Sequence, residues 1–129
     1  MKTKFIDVLT RADTITLYKD GVKVDINTQE VLRQFKFMVE LAYYMPGVGL
    51  VKDSVIQKER AKGYWLEFSY MDKVTFAEYE FTSLMIRLQP HLDGFNVVRG
   101  VDGKYEGKTY YLKLATMSTD FYEYIVENY

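Results

Sequence analysis

The chain has 129 residues, a length suited to one domain with one core, and carries 17 basic against 18 acidic groups for a net charge of −1. Near-neutrality supplies no field to draw a polyanion or an anionic membrane, so nucleic-acid binding is disfavoured. The absence of cysteine excludes disulfides, thiolate catalysis, iron–sulfur clusters and cysteine zinc sites, and no cofactor or metal motif replaces them.

A single domain over residues 1–129, soluble and cytoplasmic, is the expectation. Asp7 interrupts the apolar stretch that a signal peptide needs, and no apolar run approaches the ~18 residues of a membrane span. Twelve Tyr and eight Phe make aromatic rings the surplus of the composition. Tyrosine buries a ring while its hydroxyl stays wet, which suits half-buried sheet surfaces and interfaces.

Phe5, Val8, Leu9 and Ala12 recur at helical spacing and predict a short helix over 4–12. Asp20-Gly21, set between apolar runs, predicts a two-residue hairpin turn of the I′ type, because both central positions need positive φ. Its strands pair Lys19 with Val22, Leu17 with Val24 and Ile15 with Ile26, giving one apolar and one wet face. Asn27 is placed to cap the next helix, with Glu30 three positions on, and that main helix is expected over about 28–45. Its stripe is Val31, Phe35, Met38, Ala42 and Met45, and Pro46-Gly47 ends it. Residues 48–63 fit either a short helix capped near Ser54 or an edge strand.

From Tyr64 onward, aromatic and β-branched residues predict a four-stranded meander. Residues 74–88 are read as one strand of it, against a helical reading in which Phe81, Leu84, Met85 and Leu88 form the stripe. Asp102-Gly103 predicts the second hairpin turn, with Arg99 facing Glu106, Gly100 facing Tyr105 and a bulge at Gly107-Lys108. A terminal helix over 119–128 is expected, capped by Ser118. The fold class that results is α+β, an antiparallel sheet of about five to seven strands packed by the main helix and the terminal helix.

Chemistry-bearing residues are sparse. His91, the single histidine, stands beside Asp93, but Pro90-His91-Leu92-Asp93-Gly94 reads better as a turn between strands. Glu78 and Glu80 share a strand face that Glu67 is placed to join, an acid cluster that would suit a cation or a small ligand; a solvated face is the preferred reading. Lys58, Arg60 and Lys62 gather beside Trp65, a pattern that grips single-stranded nucleic acid, here diluted by Asp53 and Glu59. Phe95, Val97 and Tyr111 emerge from the second hairpin as an apolar patch, to be covered by the terminal helix or else to meet a partner. The sequence therefore favours a non-enzymatic module that binds a protein partner or itself through a Tyr-rich sheet surface or edge. The alternative is a small-ligand protein or enzyme with a concave sheet lined by Glu67, Glu78, Glu80 and His91.

Overall fold

The computed structural model of the chain describes residues 5–38, 41–44, 53–76, 79–88, 96–105, 108–117 and 120–129; for 41–44, 96–105 and 108–117 the description is of backbone pairing. Four helices, α1 (Phe5–Thr10), α2 (Thr28–Met38), α3 (Asp53–Arg60) and α4 (Asp120–Asn128), alternate with strands. The strands are β1 (Thr14–Lys19), β2 (Val22–Val24), β3 (Leu41–Tyr44), β4 (Tyr64–Phe76), β5 (Tyr79–Leu88), β6 (Asn96–Tyr105) and β7 (Lys108–Met117). The class is α+β and the pairing antiparallel, as expected. Side chains are described for a four-stranded sheet, β2-β1-β4-β5, which is smaller than the five to seven strands expected. Along the backbone the order continues through β6, β7 and β3. Among the described residues, no helix is long and apolar enough to cross a membrane.

The first hairpin has the expected register at Leu17 opposite Val24 and Lys19 opposite Val22, but β2 ends at Val24, so the expected pairing of Ile15 with Ile26 is not made. Asp20 and Gly21 both take positive φ, 51° and 81°, the geometry of a I′ turn. The turn is also tethered from outside. Asp20 N–H donates to the Gly63 carbonyl at 2.8 Å, and Gly63 N–H donates to Asp20 Oδ1 at 2.8 Å. A local sequence signal thus becomes a long-range clasp between the hairpin and the start of β4.

The main helix is shorter than expected. Asn27 caps it, its Oδ1 accepting from Glu30 N–H at 3.0 Å, but it ends at Met38, and Leu41–Tyr44 pairs with β7 as a strand. Paired Tyr43 and Tyr44 suit a pleated ladder better than a helix, and tertiary pairing overrides the helical stripe through Ala42. Residues 53–60 form a helix rather than an edge strand. It begins at Asp53, and positive φ at Gly63, 73°, helps turn the chain back into β4.

Residues 74–88 are not one strand. Val74–Phe76 finishes β4, Tyr79 begins β5, and the two halves pair with each other: Val74 opposite Phe81, Thr75 opposite Glu80, Phe76 opposite Tyr79. Between Ser69 and Val74 the register shifts, with five steps of β4 set against two of β5, so β4 carries a three-residue bulge. Asp13 pins it: its N–H donates to the Ser69 carbonyl at 2.9 Å, and its Oδ2 accepts from Met71 N–H at 2.7 Å.

The second hairpin does not turn at Asp102-Gly103. Those residues lie within β6, opposite Tyr111 and Tyr110, and the ladder runs out to Tyr105 opposite Lys108. The register observed sets Val101 against Leu112 and Val98 against Leu114, whereas a turn at 102–103 would have opposed Val101 to Lys104 and Val98 to Gly107. Apolar pairing across the ladder outweighs local turn chemistry. Among the described residues the register shifts between Val98 and Val101, at Arg99-Gly100; the bulge expected at Gly107-Lys108 falls on Gly107, which lies outside the described residues.

The core gathers one face of the sheet against α1, α2 and α4. Val8, Leu9, Val31, Phe35, Leu66, Phe68, Leu84, Phe121 and Ile125 are buried within it. Phe35 stands edge-on to Phe68 at 5.1 Å and to Phe121 at 5.2 Å, joining α2, β4 and α4. Tyr70 is buried beside Phe81, and its hydroxyl donates to the Val8 carbonyl at 2.7 Å, holding α1 to the sheet. Burial raises its phenol pKa well above the ordinary value.

At Gly63 an added Cβ would meet nothing within 4 Å. Gly63→Ala is therefore expected to lower stability by about 1–2 kcal/mol through left-handed backbone strain alone, as measured by urea unfolding. No loss would mean that the clasp tolerates a relaxed φ.

Candidate functional site

Alternation along β4 divides its side chains between two surfaces. Leu66, Phe68 and Tyr70 enter the core, while Trp65, Glu67 and Ser69 project from the opposite face. Cross-strand partners share a face, so the register builds that second surface in rows. One row is Tyr18, Trp65 and Arg87; the next is Thr16, Glu67 and Met85; the third is Thr14, Ser69 and Ser83. By Cα register the second row continues through Asp102 to Tyr111.

Two members of this surface are buried although they stand outside the helix-side core cluster, Trp65 at 0 % exposure and Met85 at 8 %. Trp65 Nε1–H donates to the Lys62 carbonyl at 3.2 Å, and Arg60 Nη1 approaches Met85 Sδ at 3.7 Å, so the α3–β4 connection covers that end. Around this floor Thr16, Tyr18, Glu67, Ser69, Ser83 and Arg87 are half-buried. Tyr18 has its phenol pKa raised, by burial first and by the negative charge of Glu67 second. The surface is thus a two-residue apolar floor rimmed by hydroxyls, one acid and one guanidinium.

The residues nominated from sequence are scattered relative to this surface. Glu67 lies on it. Glu80 does not: it faces Thr75 beyond the bulge and pairs with Lys73, Nζ to Oε1 3.2 Å. Five residues of β5 separate it from Met85, the partner of Glu67, about 16 Å along the strand at ~3.3 Å per residue. The acid pair Glu67 and Glu80 is therefore not assembled, because Glu80 stands beside the β4–β5 connection while Glu67 pairs five positions further along β5. Glu78, His91 and Phe95 lie outside the described residues. Val97 is opposite Ala115 and Tyr111 opposite Asp102, with the β6 bulge between them, so they are not cross-strand neighbours. Instead Tyr111 falls in the row of Glu67. Helix α4, expected to cover the patch, packs on Phe35 of α2 through Phe121 and on Tyr64 of β4 through Tyr122, the latter rings 6.3 Å apart.

Trp65 requires a further correction. Its ring is wholly buried and its indole N–H is engaged, so it offers no base-stacking surface beside Lys58 and Lys62. Tyr18, Met85 and Arg87 were missed in the sequence reading. Alternation in the first hairpin and in 64–70 would have found Tyr18 beside Trp65 and Glu67, but Met85 and Arg87 depend on where β5 begins. Among the described residues, no three Asp, Glu or His converge as a metal site requires. Compared with family models, curated proteins and solved structures, the chain has no match.

With the tyrosine rings isotopically labelled, Tyr18 is expected to titrate above the ordinary phenol value of 10.0. Glu67→Gln should lower that midpoint without restoring it to 10.0, since burial persists while the repelling carboxylate is gone. An unchanged midpoint in the variant would show that the two groups do not share this surface.

Proposed function

We propose that the protein is a non-catalytic binding module that associates with a protein partner, in the first instance a second copy of itself, through the sheet face bearing Tyr18, Glu67 and Arg87. The observation that carries this reading is the make-up of the face. Tyr and Arg are residue types enriched where proteins meet, and Tyr18 and Arg87 stand half-buried in one row, flanking buried Trp65, with buried Met85 in the next. Buried Trp65 and Met85 stiffen the floor, which lowers the entropy lost when a partner orders the rim. Thr16, Ser69 and Ser83 supply short hydroxyls that form hydrogen bonds with little loss of rotamer freedom.

Self-association is favoured because the face holds both signs of charge and the chain is near neutral, so no single-sign field holds two copies apart. By Cα register, Tyr111 of the sequence-nominated patch lies opposite Asp102, the strand partner of Met85, while Phe95 and Val97 have no part in the proposal.

Size-exclusion chromatography with light scattering at high micromolar concentration tests it. The wild-type chain is expected to run as a dimer, and Tyr18→Ala to weaken the dimer by tenfold or more, about 1.4 kcal/mol. Met71→Ser, on the exposed bulge, should leave it intact. A strict monomer for the wild-type chain would overturn self-association, and a dimer indifferent to Tyr18→Ala would overturn the choice of face.

A further inference from the structure

Strand β1 is paired unequally on its two sides. With β4 it pairs over all six residues, Thr14 to Lys19, but with β2 only over Leu17, Tyr18 and Lys19. Thr14, Ile15 and Thr16 are therefore held in the sheet from the β4 side alone. Successive strand residues send their N–H and C=O to alternate sides, so Ile15, in step with Leu17 and Lys19, aims its N–H and C=O where β2 has already ended, while Thr14 and Thr16 turn theirs to β4.

What lies beside that stretch is a cleft of about 220 Å³, lined by residues 14–16 on one side and by 23–26 with Thr28 on the other. It follows β1 for three residues, about 7 Å between the end Cα atoms. Its volume is below the roughly 300–1,000 Å³ of ordinary small-molecule pockets. Its rim carries two exposed charges, Lys23 and Asp25, neither of them ion-paired among the described residues. They stand two positions apart in the chain, which matches the same-side repeat of an extended peptide.

We propose that this cleft receives an extended peptide segment of a partner protein by strand addition to β1, the segment bearing an acidic and a basic side chain two positions apart to meet Lys23 and Asp25. Main-chain hydrogen bonds to the open edge supply the attachment, and the charge pair supplies the choice of sequence. One lysine balanced by one aspartate is the wrong lining for a polyanion, which leaves a peptide of mixed charge as the fitting occupant. This edge adjoins the face around Glu67, since Thr14 and Thr16 belong to its rows, but strand addition is read at the backbone of β1 and face contact at the Tyr18 side chain, so either proposal stands if the other fails.

The test is selection of a displayed random octapeptide library against the intact chain, followed by amide hydrogen exchange with a selected peptide. Enriched peptides are expected to carry the acid-x-base or base-x-acid spacing, to protect the Ile15 amide, and to bind at least tenfold more weakly when alternate peptide nitrogens are methylated. The double variant Lys23→Glu, Asp25→Lys, exposed at both positions, should invert the order of acid and base among the selected peptides. No enrichment, protection confined to the face around Tyr18 and Glu67, or the same peptides from wild type and double variant would overturn the proposal. So would protection of the Ile15 amide in the peptide-free chain that rises with its own concentration, since the occupant would then be a second copy.

Discussion

Two surfaces of this protein hang on the alternation of a single strand. In β4, Leu66 and Phe68 are inserted under the helices, and Glu67 between them is thereby committed to the other face. Burial of each such apolar chain contributes about 1.5–3 kcal/mol, and a one-residue slip would exchange them for Glu67 and Ser69 in the core. The register of β4 is consequently among the most strongly specified features of the fold. The rows Tyr18-Trp65-Arg87 and Thr16-Glu67-Met85 inherit that precision without contributing to it.

Around this strand the helices are held by a few directional contacts laid over nonspecific burial. The edge-on series Phe121, Phe35 and Phe68 ties both long helices to the centre of β4. At the near end, the Tyr129 hydroxyl accepts from Asn27 N–H at 3.4 Å, and Lys19 Nζ reaches the Tyr129 carbonyl at 3.4 Å while lying 5.5 Å from the Tyr64 ring centre. At the far end, Tyr70 and Asp13 fasten the bulge to α1 and to the entry of β1. The helix side is thus closed by contacts that converge on β1 and β4, which leaves the reverse face free to be shaped by polar residues.

Much of this was legible in the residues where signals were local. Asp20-Gly21 forms its turn, and Asn27 caps its helix, because each needs only a few neighbouring backbone groups; the Glu30 carboxylate turns instead to Arg33 and Gln34, and the Asn27 amide to the Tyr129 hydroxyl. The failures have one physical cause, the reach of β pairing. Residues 74–76 and 79–88 are extended as read, but they belong to two strands, β4 and β5; because the bulge shifts the register by an odd number, Leu84 and Ile86 enter the core on even positions and Phe81 on an odd one, which gave the segment its competing helical stripe. Asp102-Gly103 has turn chemistry yet lies inside a strand, since the partners that set the register, Leu112 and Leu114, are distant in sequence. The candidate site was legible to the same extent. Glu67 was nominated, but its neighbours Tyr18 and Met85 come from two other strands, and the presumed companion Glu80 lies opposite Thr75 beside the β4–β5 connection, paired with Lys73.

Back-to-back placement of core and contact face is tested most directly by comparing the unfolding free energies of Phe68→Ala and Ser69→Ala, neighbours in β4. The account predicts a loss of about 3–5 kcal/mol for Phe68→Ala, as for a large ring removed from a packed core, and a change within about 0.5 kcal/mol for Ser69→Ala, as for a residue away from one. Equal losses at the two positions, or a larger one at Ser69, would contradict it.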